Sequence, residues 1–145
     1  MTIRCEIVSQ DRMVFEGDAD IVLLPGSEGE MGILPHHAPL LTTLKYGIIK
    51  VRQKNEEHLF TVAGGVAEIQ PSIVTILADA AENVEEIDVA RAEAARKHAE
   101  EALSKISPED ADVYEKLEIT LRRSNLRLDA VKRHRSGKRF PANEG

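Results

Sequence analysis

The chain has 145 residues, of which 42% are apolar and 30% are charged, and its formal net charge at pH 7 is -6. These values are typical of one ordinary globular domain, or of a small domain with an appendage. No apolar run approaches the roughly 20 residues that a membrane-spanning helix needs, and the N-terminus lacks the pattern of a signal peptide. We therefore expect a cytoplasmic protein.

The first part of the chain predicts short strands joined by close turns. "DIVLLPG" ends in Pro-Gly, "GIIKVRQKNEEHLFTVAGG" predicts two strands around a polar turn at 54–57, and "VAEIQPSIVTIL" predicts two more around 70–72. The only cysteine, Cys5, alternates with Ile3 and Ile7, which favours a buried strand position over a reactive thiol. Short strands without intervening helices indicate an antiparallel sandwich or barrel.

From Ile87 onward the apolar period becomes helical. Asp88 is a candidate N-cap for a first helix, whose apolar stripe is Val89, Ala92, Ala95, Ala99, Ala102 and Ile106. A second helix is expected to restart at Ser107-Pro108, with the stripe Val113, Leu117, Leu121, Ser124, Leu128 and Val131. Two helices with a short connection form an antiparallel hairpin. We thus expect an α+β chain with a β domain at 1–84, a helix hairpin at 85–135 and a flexible tail at 136–145.

The two parts of the chain differ in charge. Residues 1–84 contain 6 Lys and Arg against 12 Asp and Glu, whereas residues 85–145 contain 13 of each. Within the second part, the segment Arg122–Arg139 has eight basic residues and a single acid, Asp129. The basic end is explained either by a solvated helix and tail or by contact with an acidic partner.

The segment "GEMGILPHHAPLL", residues 29–41, combines adjacent histidines with glycines and prolines. A metal site is not indicated, because successive side chains of an extended segment point to opposite faces and no acid follows until Glu56. No serine lies on a glycine elbow, and Gly64-Gly65 precedes a strand pattern instead of a phosphate-binding helix. From these residues alone, the segment is equally well a docking surface or part of the core.

Three motifs in register carry a resemblance to a known family. "GSEGEMGILPHHAPLLT", "VAGGVAEIQPSIVTILADAAE" and "IDVARA" resemble blocks of the epsilon subunit of the bacterial F-type, proton-translocating ATP synthase. The resemblance covers roughly residues 2–131. It implies a β sandwich of about ten strands followed by a helix hairpin, in a non-catalytic subunit of the rotor.

The resemblance also implies partners for the β domain. The sandwich would join the gamma subunit to the c-ring, as part of a central stalk that is peripheral to the cytoplasmic face of the bacterial plasma membrane. The residues implied for rotor contact are Glu28, Glu30 and His37. For each acid, simple solvation is the alternative explanation.

In the family that the chain resembles, the hairpin is the regulatory part of the subunit. When extended, such hairpins reach the catalytic alpha and beta subunits and inhibit ATP hydrolysis. The basic residues implied for contact with the beta subunit are Arg122, Arg123, Arg127, Lys132 and Arg133. Charge attraction of this kind affects orientation and association rate more surely than affinity.

Some members of that family bind ATP as a regulatory ligand, and the resemblance implies no other cofactor and no metal. The residues that correspond are Glu82, Ile87, Asp88, Arg91, Ala92, His98, Arg123 and Arg127. The arginines suit phosphates, and the two acids suit the adenine side. His98 stands where ATP-binding members can carry an arginine, and an ordinary imidazole is mostly neutral at pH 7. The alternative is that "IDVARA" is only a capped helix start.

Two other functional classes remain to be compared. The first is a β-sandwich adaptor whose basic helical arm binds nucleic acid or another acidic partner. The net charge of -6 and the scarcity of aromatic residues disfavour nucleic acid. The second is a small-molecule enzyme, for which the sequence contains no catalytic constellation.

Overall fold

The computed structural model describes residues 1–10, 12–107 and 109–139, with side chains described as far as residue 136. The chain divides into two compact units, of which the first is Met1–Glu85 and the second begins at Glu86. Pro108, which was predicted to occupy the first position of the second helix, lies outside the described residues. Within the described part of the chain, no helix is long and apolar enough to cross a bilayer.

The first unit is a β domain. Its described residues form eight strands, β1 (Ile3–Ser9), β2 (Arg12–Ala19), β3 (Ile21–Gly26), β4 (Gly29–Ile33), β5 (Leu40–Gln53), β6 (Glu56–Ile69), β7 (Ile73–Ala78) and β8 (Ala81–Asn83). The strands pair in the order β2-β1-β7-β6-β5-β3-β4, and β8 also pairs with β6. The predicted strand pairs around residues 54–57 and 70–72 are confirmed as β5–β6 and β6–β7.

Two details of the β domain differ from the prediction. The sheet is not wholly antiparallel, because β1 and β7 pair in parallel. The described strands number eight and not the roughly ten that the resemblance implied, and "VAEI", predicted as a separate strand, is the end of the 14-residue strand β6. The glycines before it are typical of a strand break, but here they bend a continuous strand.

The bend in β6 lies at Gly64 and Gly65, which have φ values of +91° and +140°. Before the bend, residues 60–62 pair with β8, and after it, residues 65–69 pair with β7. A Cβ at Gly65 would lie against the carbonyl oxygen of Leu77 and 2.8 Å from the Cα of Ala78. The bend therefore needs glycine both for its dihedral angles and for the close approach of β7, and it lets one strand pair with β8 before the bend and with β7 after it.

The core of the β domain is aliphatic apart from Phe60, and its residues come from seven of the eight strands. Its fully buried large side chains are Ile3, Ile7, Val22, Leu24, Ile33, Ile49, Val51, Phe60, Val62, Ile69, Val74 and Ile76. The predicted burial of Cys5 is confirmed, with the side chain inaccessible to solvent. Burial, with a smaller contribution from the charge of Glu6, raises the pKa of the Cys5 thiol to about 12. A thiol that stays protonated in this way packs as a small apolar side chain and is a poor nucleophile.

The second unit is a helix hairpin of α1 (Val89–Lys105) and α2 (Ala111–Arg139), which pack against one another. The predicted cap of α1 is confirmed, because Asp88 Oδ1 accepts a hydrogen bond of 3.1 Å from the backbone N–H of Arg91. On α1, Ala92 and Ala99 of the predicted stripe are buried. Alanine at these positions allows the two helices to approach closely. It stabilises the hairpin little, because each buried CH₂ group contributes about 0.8 kcal/mol and an alanine side chain has a single methyl group.

Helix α2 departs from the prediction at both ends. It begins at Ala111, because the Ser107 hydroxyl accepts a hydrogen bond of 3.3 Å from the Glu109 N–H in a local turn that competes with helix formation. Val113 of the predicted stripe, in the first turn of α2, is 49% exposed. The helix continues to Arg139, into the segment that was predicted to be a flexible tail, and basic residues near a helix C-terminus favour this extension.

The bend in β6 gives a stability prediction. Replacing Gly65 by Ala combines an unfavourable dihedral angle with a backbone clash, and we expect it to lower the free energy of unfolding by about 4 kcal/mol. Gly29→Ala is the matched control, because Gly29 also has a positive φ, +134°, yet a Cβ there meets no atom within 4 Å. We expect the control to cost only about 1–2 kcal/mol. Urea titrations of both variants measure the difference, and equal losses would mean that the approach of β7 is not what requires Gly65.

Candidate functional site

The acids predicted for rotor contact lie on one β hairpin. Strands β3 and β4 are joined by a two-residue turn, Ser27–Glu28, that places Glu28 at the tip and Glu30 on the exposed side of β4. The turn is tied to β5, because the Ser27 N–H donates to the Thr43 carbonyl at 3.0 Å and the Thr43 hydroxyl donates to the Ser27 hydroxyl at 2.9 Å. The hairpin is therefore a braced projection with two carboxylates in solvent.

The histidine pair lies in the segment between β4 and β5. His36 has a φ of +67°, and its backbone N–H donates to the Pro71 carbonyl at 2.8 Å. His37 is half-buried, and its Nδ1 donates to the Ala38 carbonyl at 2.7 Å. No cluster of three potential metal ligands occurs among the residues described. The segment thus has a defined backbone with one histidine ring fixed against it.

Exposed leucines accompany these polar residues. Leu34 is 56% exposed, Leu40 is 40% exposed and Leu41 is 68% exposed. Three large apolar side chains at the surface within eight residues are unusual enough to suggest a contact surface. The sequence pattern is consistent with this exposure, because "LPHHAPLL" lacks the alternation of apolar and polar residues that a half-buried strand would show. We call residues 28–41 the docking segment.

The residues predicted to bind ATP are divided between the two units. Glu82 lies on β8 opposite Thr61 in the β domain, whereas the other seven lie at or within the helix hairpin. On α1, Arg91 and His98 are exposed and are seven residues apart, so they lie on the same helix face. Ala92, by contrast, is 3% exposed and belongs to the helix–helix seam.

On α2, the two predicted phosphate ligands lie one turn apart. Arg123 is exposed and Arg127 is half-buried, and their spacing of four places them on one face. Two clefts occur along the hairpin among the described residues, and none of the eight residues predicted for ATP lines either of them. The predicted arginines therefore lie along helix faces, outside both of these clefts.

The residues predicted to contact the beta subunit lie along the outer part of α2. Arg122, Arg123, Lys132 and Arg133 are exposed, and Arg127 is half-buried. Arg133 forms an ion pair of 3.1 Å with Asp129 one turn earlier, so the charge of the only acid in this stretch is balanced by a neighbouring cation. The surface of α2 is accordingly basic over more than two helical turns.

Comparison with sequence families supports this division into two parts. Residues 2–84 match the family described as "ATP synthase, Delta/Epsilon chain, beta-sandwich domain". Residues 85–132 match the family described as "ATP synthase, Delta/Epsilon chain, long alpha-helix domain". The matches together cover both units and end shortly before the end of α2.

Individual relatives agree with these families. An ATP synthase epsilon chain of Pelotomaculum thermopropionicum is 52% identical over 104 residues, which are 72% of this chain and 78% of the relative. An ATP synthase epsilon chain of Dehalococcoides mccartyi is 43% identical over 139 residues, or 92% of this chain and 94% of the relative. A solved chain of the Euglena gracilis mitochondrial ATP synthase has the same fold, with a TM-score of 0.70 at 24% identity over 83% of this chain and 76% of its own.

The fold and these matches define a two-part chain of the rotary ATP synthases. The chain belongs to the ATP synthase delta/epsilon family. The predicted resemblance is thereby confirmed, and with it the prediction that the chain is a non-catalytic subunit. The roles of individual residues stay predictions.

Proposed function

We propose that the chain is a central-stalk subunit of a bacterial F-type ATP synthase, in which the β domain couples the gamma subunit to the c-ring. The observation that carries this proposal is the family match over residues 2–132, which includes both units. The Dehalococcoides relative, itself named an ATP synthase epsilon chain, aligns over 94% of its own length. The similarity therefore extends over the whole subunit and not over a shared module alone.

The docking segment is the part of the β domain that we assign to rotor contact. Leu34 and Leu41, which are 56% and 68% exposed, offer apolar area to the gamma subunit, and His37 lies between them in sequence. Glu28 and Glu30 offer carboxylates to the polar loops of the c-ring. A contact that transmits torque needs a stiff support, which the hydrogen bonds from Ser27 to Thr43 provide here.

The hairpin is the part that we assign to inhibition of ATP hydrolysis. Its seam is built largely from alanines and a buried serine, Ser124, whose hydroxyl donates to the Thr120 carbonyl at 2.8 Å. A seam that buries so little apolar area stabilises the packed hairpin weakly, so a modest interaction with a partner is enough to change its conformation. The basic surface of α2 is complementary to an acidic segment of the beta subunit.

ATP is the regulatory ligand that we assign to the hairpin. Arg91, Arg123 and Arg127 would bind the phosphates, because the guanidinium group pairs well with phosphate oxygens. Asp88 uses Oδ1 to cap α1, and its second carboxylate oxygen can accept from the adenine amino group. A ligand that binds only the folded hairpin at one hundred times its dissociation constant would stabilise it by about 2.7 kcal/mol.

The same proposal implies a location. A stalk subunit is peripheral and reaches the cytoplasmic face of the plasma membrane through the c-ring. Its direct partners are then the gamma subunit, the c-ring and the alpha and beta subunits.

A truncation separates the two assigned roles. The core of the β domain contains no residue beyond Ala81, so we expect a chain that ends at Glu85 to fold and to bind gamma as tightly as the full chain. We also expect it to inhibit ATP hydrolysis several-fold less in the reconstituted complex. Gel filtration with gamma and a coupled ATPase assay measure the two effects. Full inhibition by the truncated chain, or loss of gamma binding by a folded one, would contradict the assignment.

The docking segment gives a second prediction. Replacing Leu41 by Ser removes exposed apolar area, so the thermal midpoint of the free chain should not change. Binding to gamma should weaken about tenfold, because a fully buried leucine contributes about 1.5–3 kcal/mol. Met13→Ser is the matched control, since Met13 is 47% exposed on β2, away from the docking segment in sequence. Equal affinities of the two variants for gamma would exclude Leu41 from the interface.

The nucleotide assignment gives a third prediction. Replacing Arg91 by Gln should weaken ATP binding to the isolated chain about tenfold, because hydrogen bonds to charged groups contribute about 1.5–3 kcal/mol. Replacing His98 by Arg should strengthen binding, since it adds a permanent charge on the same face. Calorimetry measures both changes, and Lys105→Gln, at the other end of α1, is the control for general charge effects. If millimolar ATP gives no heat with either the parent or His98→Arg, "IDVARA" is only a helix start.

A further inference from the structure

A basic cleft occupies one side of the hairpin, and the proposed ATP site does not include it. The cleft has a volume of about 620 Å³ and lies between the first half of α1 and the last turns of α2. Its lining residues are Val89, Glu93, Arg96, Leu128, Val131, Lys132, Arg135 and Ser136. The volume is within the range of about 300–1,000 Å³ that small-molecule sites occupy.

The charges of the cleft favour an anion. The cleft is lined by three cationic side chains, those of Arg96, Lys132 and Arg135, and by one carboxylate, that of Glu93. Its apolar residues, Val89, Leu128 and Val131, exclude water from part of the wall, which strengthens charge pairing there. The N-terminal end of α1, close to Val89, adds the positive end of a helix dipole.

Arg96, which lines this cleft, has a hydrogen-bond donor that is not used. Its Nε atom is buried and has no hydrogen-bond partner among the described residues. The Glu100 carboxylate lies 3.9 Å from its Nη1 atom, at the outer limit of an ion pair. A buried donor without an acceptor is unfavourable, and a rotation of the half-buried Arg96 side chain would let an oxygen of a bound anion accept from it.

The cleft and the predicted ATP residues lie on opposite sides of the hairpin seam. With roughly 100° between successive helical residues, the cleft residues of α1 lie roughly 40–100° to one side of the buried Ala92. Arg91 and His98 lie roughly 100–120° to the other side. One ligand phosphate group therefore cannot use Arg91 and Arg96 together on α1.

We propose that this cleft binds a small polyphosphate anion through the Arg96 guanidinium, with Lys132 and Arg135 as further cationic ligands. The bound anion joins α1 to the last turns of α2 and so stabilises the packed hairpin. This site is independent of the rotor assignment and of the ATP site that contains Arg91. The shared chemistry is a chain of phosphate groups, which either free pyrophosphate or the phosphates of a nucleotide provide.

The test is a titration of the full ¹⁵N-labelled chain with sodium pyrophosphate, followed through the Nε–H resonances of the arginines. We expect the Arg96 resonance to shift and its hydrogen exchange to slow. Arg96→Gln and Lys132→Gln should each weaken binding about tenfold, the loss expected for one hydrogen bond to a charged group. Lys97→Gln is the matched control, because it removes the same charge from the adjacent exposed residue and should change the affinity less than twofold.

Two further arms separate the possible outcomes. Arg96→Lys keeps the charge but lacks the Nε donor, so its affinity should fall between those of the parent and Arg96→Gln. An ATP titration of Arg91→Gln should still shift the Arg96 resonance if nucleotide phosphates also use the cleft, and it should not if only the free anion does. Circular dichroism checks that each variant keeps its helices, and Arg135→Gln takes the place of any variant that does not.

The proposal is overturned by any of three results. These are no shift of Arg96 at millimolar pyrophosphate, shifts confined to Arg91, Arg123 and Arg127, or equal losses in Lys97→Gln and Arg96→Gln. Failure of gamma binding or of inhibition leaves this site unaffected, because the titration uses the isolated chain. The two proposals can therefore fail separately.

Discussion

The β domain depends on one constraint, the bend of β6 at Gly64 and Gly65, where the strand changes its pairing partner. The bend lets residues 60–62 pair with β8 and residues 65–69 pair with β7, while β5 pairs with β6 on both sides of the bend. Leu77 and Ala78 of β7 approach so closely that no side chain fits at Gly65. Strand β7 in turn pairs with β1, so the bend positions the strand that carries Cys5. The aliphatic core and the docking segment are built on this frame.

The two units differ in how they are stabilised, and this difference explains their proposed roles. The β domain buries twelve large apolar side chains completely, which supports a rigid body that can transmit force. The hairpin buries alanines, Ser124 and the edge of Val131 instead, and most of its surface is charged. An element with little apolar burial changes conformation at low cost. Rigidity and conformational freedom are thus assigned to separate parts of one short chain.

Sequence reasoning found the strands and helices where local signals are strong. Pro-Gly at the end of β3, the alternation around Cys5 and Asp88 before α1 each act within a few residues, and each prediction is confirmed. The parallel pairing of β1 with β7 was not predictable, because periodicity shows which face is buried but not which strand is the neighbour. The double glycine in β6 failed as a strand break for the same reason, since its role depends on β7. The sequence of residues 29–41 left a docking surface and a core position equally open, because the exposure of its leucines depends on what the fold places over them.

The charge on α2 connects regulation by a partner with regulation by a ligand. Lys132 belongs both to the residues predicted to contact an acidic segment of the beta subunit and to the lining of the basic cleft. A cation that is paired with a bound anion attracts a second acidic group less strongly. The anion and the acidic segment would therefore compete for Lys132. An anion in the cleft would therefore oppose inhibition in two ways, by joining α1 to α2 and by reducing the positive field that the acidic segment meets. The predicted ATP residues on the Arg91 side of the hairpin do not include Lys132. They do include Arg123 and Arg127, which are also among the residues predicted to contact the beta subunit. If both proposals hold, each side of the hairpin shares cations between the partner and a ligand, and ligand binding and partner binding would be mutually antagonistic.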